Sequence, residues 1–191
     1  MIAQETGFTE PEANAKINVG LAALELGDND LARRSFVEVD RLFKSDDWFK
    51  WRYRLRLDLG WSALELARGD LAAARRHAES CRDNATFAQS KKYMAQARAQ
   101  LGRIALGAGD LEAAERELVA AAKLVGDLSA PLVTWKIQSA LADFYDAAGR
   151  ADDARTWRVS ALQILRFLAL HAPEEVRDRM LASATARRLD A

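Results

Sequence analysis

Gly109-Asp110-Leu111-Glu112-Ala113-Ala114 is the stretch from which the fold of this chain is read. The same form recurs as Gly27-Asp28-Asn29-Asp30-Leu31-Ala32, Gly69-Asp70-Leu71-Ala72-Ala73-Ala74 and Gly149-Arg150-Ala151-Asp152-Asp153-Ala154, with glycines 42, 40 and 40 residues apart. Each copy lies between two apolar, helix-periodic stretches. Glycine just past a helix can take the left-handed conformation that satisfies the last carbonyls. Asp28, Asp70 and Asp110 then sit where a side-chain oxygen caps the next helix. Five residues after each glycine stands an alanine, Ala32, Ala74, Ala114 or Ala154, whose small side chain lets two helices approach closely. Arg150 breaks the pattern, so a weaker or shifted cap is expected in the fourth copy.

Working outward from these loops gives eight helices in four pairs, near 11–26, 29–44, 48–68, 70–84, 87–107, 110–126, 132–148 and 151–171. Capping boxes at Thr9 with Glu12 and at Thr86 with Gln89 are expected to open two of them. Ser45 to Asp47, and Ser129 with Pro131, are expected to open two more. A short terminal helix near 174–186 starts at Pro173-Glu174-Glu175, suited to the positive end of a helix. Residues 1–10 read as an N-terminal extension, 11–171 as a solenoid with repeats near 11–44, 48–84, 87–126 and 132–171, and 172–191 as a capping helix and tail.

A repeat of about forty residues with these small and apolar positions resembles the tetratricopeptide repeat in its longer variant, familiar from bacterial signal-transduction ATPases and transcription regulators. The resemblance rests on Gly20, Gly27-Asp28, Ala32 and Phe36 in repeat one. In repeat three it rests on Leu101-Gly102, Gly109-Asp110, Ala114 and Ala121, and in repeat four on Leu141-Ala142, Tyr145, Gly149, Ala154 and Ala161. Repeat two is the loosest, with Trp61-Ser62 where Leu-Gly is usual, and the family's repeat-end proline is absent throughout. What it implies is an all-α fold, a right-handed α-α superhelix of about four helix pairs plus a C-terminal capping helix.

In the resembled family the first helix of each pair lines a concave groove. Alignment on the loop glycines carries this over to Asn14 and Ile17, then Arg56, Leu59 and Ala63. It further gives Gln96, Ala99 and Arg103, then Lys136, Ser139 and Asp143, and one turn upstream it adds Arg52 and Lys92. The set leans positive, so the groove is expected to engage an acidic peptide or a terminal carboxylate. The same charges also fit an ordinary solvated helical face. The stretch Trp48-Phe49-Lys50-Trp51-Arg52-Tyr53-Arg54 concentrates aromatics and arginines. Trp48, Trp51 and Leu55 follow helical spacing and are expected to pack between repeats. Protein binding is the alternative, with base stacking behind it.

Lys plus Arg equals Asp plus Glu at 28 each, giving a formal net charge of zero. A general nucleic-acid binder needs a basic surplus, so none is expected. Cys81 is the only cysteine and excludes an intrachain disulfide. Residues 1–12 have neither the basic start nor the apolar core of a signal peptide. The most apolar stretch, Ala161 to Ala172, contains Arg166 and is too short to span a bilayer. A cytoplasmic, bacterial-type protein is the expectation.

Chemistry is sparse. His77 and Cys81 lie four residues apart, but two ligands do not make a metal site, and a structural role is expected for both. His171 fits a helix end by its partial positive charge. No catalytic residue, cofactor or metal is expected. The function expected is a non-catalytic scaffold that binds a peptide or neighbouring domain in regulation or signalling. The alternative is a ligand- or peptide-sensing domain that controls an attached effector. Leu162, Ile164, Leu165, Phe167, Leu168 and Leu170 make the last long helix apolar nearly all round. Val176, Met180 and Leu181 are expected to cover part of it, and the remainder offers a homodimer contact. Ile17, Val19, Leu21 and Leu24 lack a polar capping helix before them, as expected of a chain cut from, or evolved beside, a longer array.

Overall fold

A computed structural model of the chain describes residues 9–43 and 50–182 together with Ala186, Arg188 and Leu189. Among these residues the chain is all-helical, without a strand. Its helices are α1 (Thr9–Glu25), α2 (Asn29–Leu42), α3 (Lys50–Ala67), α4 (Leu71–Phe87), α5 (Lys91–Gly107), α6 (Leu111–Gly126), α7 (Pro131–Ala147), α8 (Ala151–Leu170) and α9 (Glu174–Leu181). Neighbours pack in pairs, as in a helical repeat. Two compact units divide the chain, Met1–Tyr93 and Met94–Ala191, with the boundary inside α5.

The loops follow the sequence closely. Gly27, Gly69, Gly109 and Gly149 have φ of +78°, +83°, +76° and +71°. The N–H after each glycine reaches back five residues to a carbonyl, at 2.8–3.0 Å, which closes the helix end in a Schellman turn. Asp28, Asp70 and Asp110 accept from the N–H of Leu31, Ala73 and Ala113 at 2.9, 2.8 and 3.0 Å. Arg150 makes no such cap. Its guanidinium instead lies 4.4 Å over the Tyr145 ring and pairs with Asp153 and Glu115. Ala32, Ala74, Ala114 and Ala154 are all fully buried.

In the first unit, Phe36 of α2 is the central knob. Its ring fills the space that a Cβ on Gly20 of α1 or Gly60 of α3 would need, and Ile17, Tyr53, Leu57 and Leu64 complete the core around it. In the second unit, Gly102 of α5 plays the corresponding part against Leu118 of α6. There Leu118, Ile137, Leu141 and Phe144 form one core, and Trp135, Leu165, Ala186 and Leu189 form another. Polar pairs cross between the helices of a pair, the first two at the same register about the loop glycine and the third nearer the loop on its second helix. Lys16 meets Glu38, Asp58 meets Ser80, and Arg98 meets Glu117.

Several expectations need correction. Thr86 and Gln89 form no capping box. Thr86 lies inside α4, where its hydroxyl donates to Arg82 O at 2.7 Å. Gln89 is left-handed at φ +50°, and Ser90 N–H reaches Ala85 O at 2.9 Å. A Schellman turn without glycine therefore ends α4 three residues later than expected. Ser129 caps nothing: α7 starts at Pro131 behind Ala130, without a side-chain cap. Thr9 is itself the first helical residue of α1, with Glu10 and Glu12 in the first turn. Val176 and Leu181 face solvent, and the covering of α8 falls to Met180, Ala186 and Leu189. Trp51 is 52 % exposed, whereas Leu55 is buried as expected. Ser45 to Asp47, Trp48 and Phe49 lie outside the described residues.

Candidate functional site

In the first unit, Asn14 and Asn18 stand one turn apart on α1 and point their amide oxygens at Arg56 of α3. Arg56 Nη1 donates to Asn14 Oδ1 and Nη2 to Asn18 Oδ1. Both acceptors are neutral, so they orient the planar fork without cancelling its charge. Asn14 and Arg56, both expected to face the groove, are thus brought together. Asn18 was missed, although its place one helical turn after Asn14 could have found it.

Arg52 is exposed one turn before Arg56, with its guanidinium 5.9 Å from the Trp51 ring. Lys92 is exposed, its ammonium 5.8 Å from the Tyr93 ring. Burial pushes the Tyr93 phenol above its ordinary pKa, while the charges of Arg56 and Arg52 pull the other way. Tyr53 donates to Glu10 Oε1 at 2.8 Å, and this bond is the largest cause of its own raised pKa. Besides the Arg56 fork on Asn14 and Asn18, the first unit thus offers exposed Trp51, Arg52 and Lys92 and the partly buried Tyr93.

Behind the Arg56 face, α3 carries a second polar cluster that sequence reasoning did not find. Asp58 is completely buried. Its carboxylate accepts from Arg54 Nε at 3.0 Å and from the Ser80 hydroxyl at 2.9 Å. Arg54 Nη1 also reaches Asp40 Oδ1 at 3.0 Å, and the Trp61 indole N–H donates to Asp40 Oδ2 at 2.9 Å. His77 stacks on Trp61 with ring centroids 5.9 Å apart, its Nδ1 3.9 Å from Asp58 Oδ1. A buried carboxylate persists only when paired and hydrogen-bonded, so this network ties α2, α3 and α4 together. The Cys81 thiol, fully buried, donates to Leu55 O at 3.4 Å. Burial first, and the Asp58 charge second, push its pKa far above the usual thiol range. Such a thiol is inert.

The second unit holds the remaining expected groove residues. Gln96 is half-buried, and its Oε1 has no hydrogen-bond partner among the described residues. One turn on, Gln100 leaves Nε2 equally unpartnered, as Gln138 does its Oε1. Arg103 is exposed on α5. Lys136 lies over the Trp135 ring at 5.7 Å, and Asp143 is 3.8 Å from Arg188 Nη2. Ser139 is 5 % exposed. It belongs to the packed face of α7 and presents nothing to a ligand in this arrangement.

Among the described residues no group of three or more His, Cys, Asp or Glu side chains could hold a metal ion. No helix there is long and apolar enough to cross a membrane. His171 ends α8 with Nδ1 2.8 Å from Phe167 O. Compared with family models and with curated proteins, the chain matches none.

Proposed function

We propose that the first unit is a non-catalytic interaction surface for an acidic peptide segment, with Arg56 as the anchor for a carboxylate. The observation that carries this reading is the Arg56 fork. Asn14 and Asn18 fix the guanidinium by two neutral acceptors, so it meets a partner already oriented and still charged. Arg52 and Lys92 add positive charge, and Trp51 and Tyr93 add aromatic area of the kind that concentrates binding energy. The forty-residue spacing and its resemblance to tetratricopeptide repeats support the same reading. So does the balance of the formal charge, which disfavours a nucleic-acid partner. The reading extends to a bacterial, cytoplasmic regulatory setting, on that resemblance alone.

Fluorescence anisotropy with a labelled peptide rich in aspartate and glutamate tests it. Binding that weakens about tenfold or more in Arg56→Glu, the equivalent of losing one charge-assisted contact, supports the proposal. Equal affinity of wild type and variant defeats it.

A further inference from the structure

Two side-chain amides on α5 are buried without their full set of hydrogen bonds. Gln100 is 7 % exposed. Its Nε2, and Oε1 of Gln96 one turn before it, find no partner among the described residues. Helical side chains tilt toward the N-terminus, so the Gln100 amide lies back under Gln96. One atom is a donor and the other an acceptor, yet both stay open, so the two stand too far apart to bond each other. Gln96 is partly exposed, which sets the pair at the surface of α5, and its long side chain can swing aside to admit a group.

The same register has a visible use on another helix. Gln96 and Gln100 stand 13 and 9 residues before the loop glycine Gly109, as Asn14 and Asn18 stand 13 and 9 before Gly27. On α1 these two amides grip a planar group, the guanidinium of Arg56. On the other first helices the later position is small, Gly60 in α3 and Ala140 in α7, and Ala140 is buried there. Packing is therefore served by a methyl group or less. Glutamine at this place keeps a polar group where alanine fits, at the cost of an unmet hydrogen bond.

We infer that Gln96 and Gln100 bind a primary carboxamide, the side chain of an asparagine or glutamine in a partner peptide. Such a group presents a carbonyl oxygen and an N–H on one edge. The oxygen accepts from Gln100 Nε2 while the N–H donates to Gln96 Oε1, so one planar group satisfies both open atoms. A carboxylate fails, because it sets an acceptor against the Gln96 oxygen. A trans main-chain amide fails as well, because its N–H and C=O point to opposite sides. Arginine, the guest on α1, brings only donors and leaves Gln100 Nε2 facing another donor. The pair lies in the second unit and takes a neutral group, so it stands or falls separately from the Arg56 anchor.

Titration of the isotope-labelled full chain with N-acetylasparagine methylamide, read at the side-chain amide signals of Gln96 and Gln100, tests this. Both signals are expected to shift together and saturate. The aspartate and alanine analogues of the probe are expected to bind about tenfold more weakly or not at all, since each leaves a buried polar atom unpaired. Gln100→Ala is expected to abolish the Gln96 shift, and Gln96→Ala the Gln100 shift, with circular dichroism confirming unchanged helix content for both. No saturable shift with the asparagine probe overturns the inference. So does equal binding of the alanine analogue, which assigns the contact to the main chain, or a Gln96 shift that survives in Gln100→Ala.

Discussion

The ring of Phe36 occupies the place of a side chain on Gly60: a Cβ built there would lie 2.6 Å from Phe36 Cζ. In an open helix Gly→Ala is worth about 1 kcal/mol of stabilisation. Here the methyl group would meet a fully buried ring that is also hemmed in by Gly20 on the other side. Gly60→Ala is therefore expected to destabilise by about 1–3 kcal/mol, the usual cost of overpacking, measured by urea unfolding. Pairing it with Phe36→Leu is expected to recover part of the loss. A stabilised single variant would contradict this packing.

Gln89 makes the same left-handed turn that glycine makes in the four repeat loops. A side chain in that conformation costs roughly 1–2 kcal/mol. Gln89→Gly should accordingly raise stability by about 1 kcal/mol, and Gly69→Ala should lower it by a similar amount. Thermal unfolding of the two variants reads both signs.

Asp58 and Arg54 give a prediction about buried charge. Asp58 is fully buried but Arg54 is 42 % exposed, and the Ser80 hydroxyl stays on the carboxylate, so losing Arg54 costs less than the roughly 3–5 kcal/mol of a fully buried pair. Arg54→Met is expected to be destabilising, and Arg54→Met with Asp58→Leu less so, as read by urea unfolding. If the double variant is worse than the single one, the network stabilises by more than mutual neutralisation.

Cys81 bears on pH. Its thiol pKa is raised above the ordinary 9.0 on folding, so the unfolded chain ionises first as pH climbs. The stabilisation linked to the protonated thiol is present below pH 9.0 and is lost as pH rises above it toward the folded pKa. Cys81→Ala should therefore show a shallower alkaline loss of stability than the wild type. In the native protein the thiol should resist disulfide reagents at neutral pH and react only on unfolding. Fast native labelling would contradict its burial.

What was legible in the sequence, and what was not, follows from the range of the interactions. The loops were legible because glycine, aspartate and alanine act within six residues of one another, and the structure sets each where the pattern put it. The α4–α5 turn was not, because Gln89 adopts by context a conformation that its residue type does not advertise. Ser129 looked like a cap by composition, yet Pro131 alone starts α7. The Asp40–Arg54–Asp58–Ser80 network joins three helices across 40 residues of chain, and no local spacing marks it. At the candidate site, Asn14, Arg52, Arg56 and Lys92 were found through the repeat alignment. Asn18, Trp51 and Tyr93 emerged only once α1, α3 and the start of α5 were packed. Ser139 was lost to burial, since repeat alignment carries over a position but not its exposure.

Arg56, held by Asn14 and Asn18, is proposed to receive a carboxylate from an acidic peptide. The most direct measurement is a nuclear magnetic resonance titration of isotope-labelled protein with such a peptide. The side-chain amide signals of Asn14 and Asn18 and the Nε–H signal of Arg56 are expected to shift together and saturate in the wild type, and the two asparagine signals to stay still in Arg56→Glu. Saturable shifts confined to other residues, or no shifts at any peptide concentration, would contradict it.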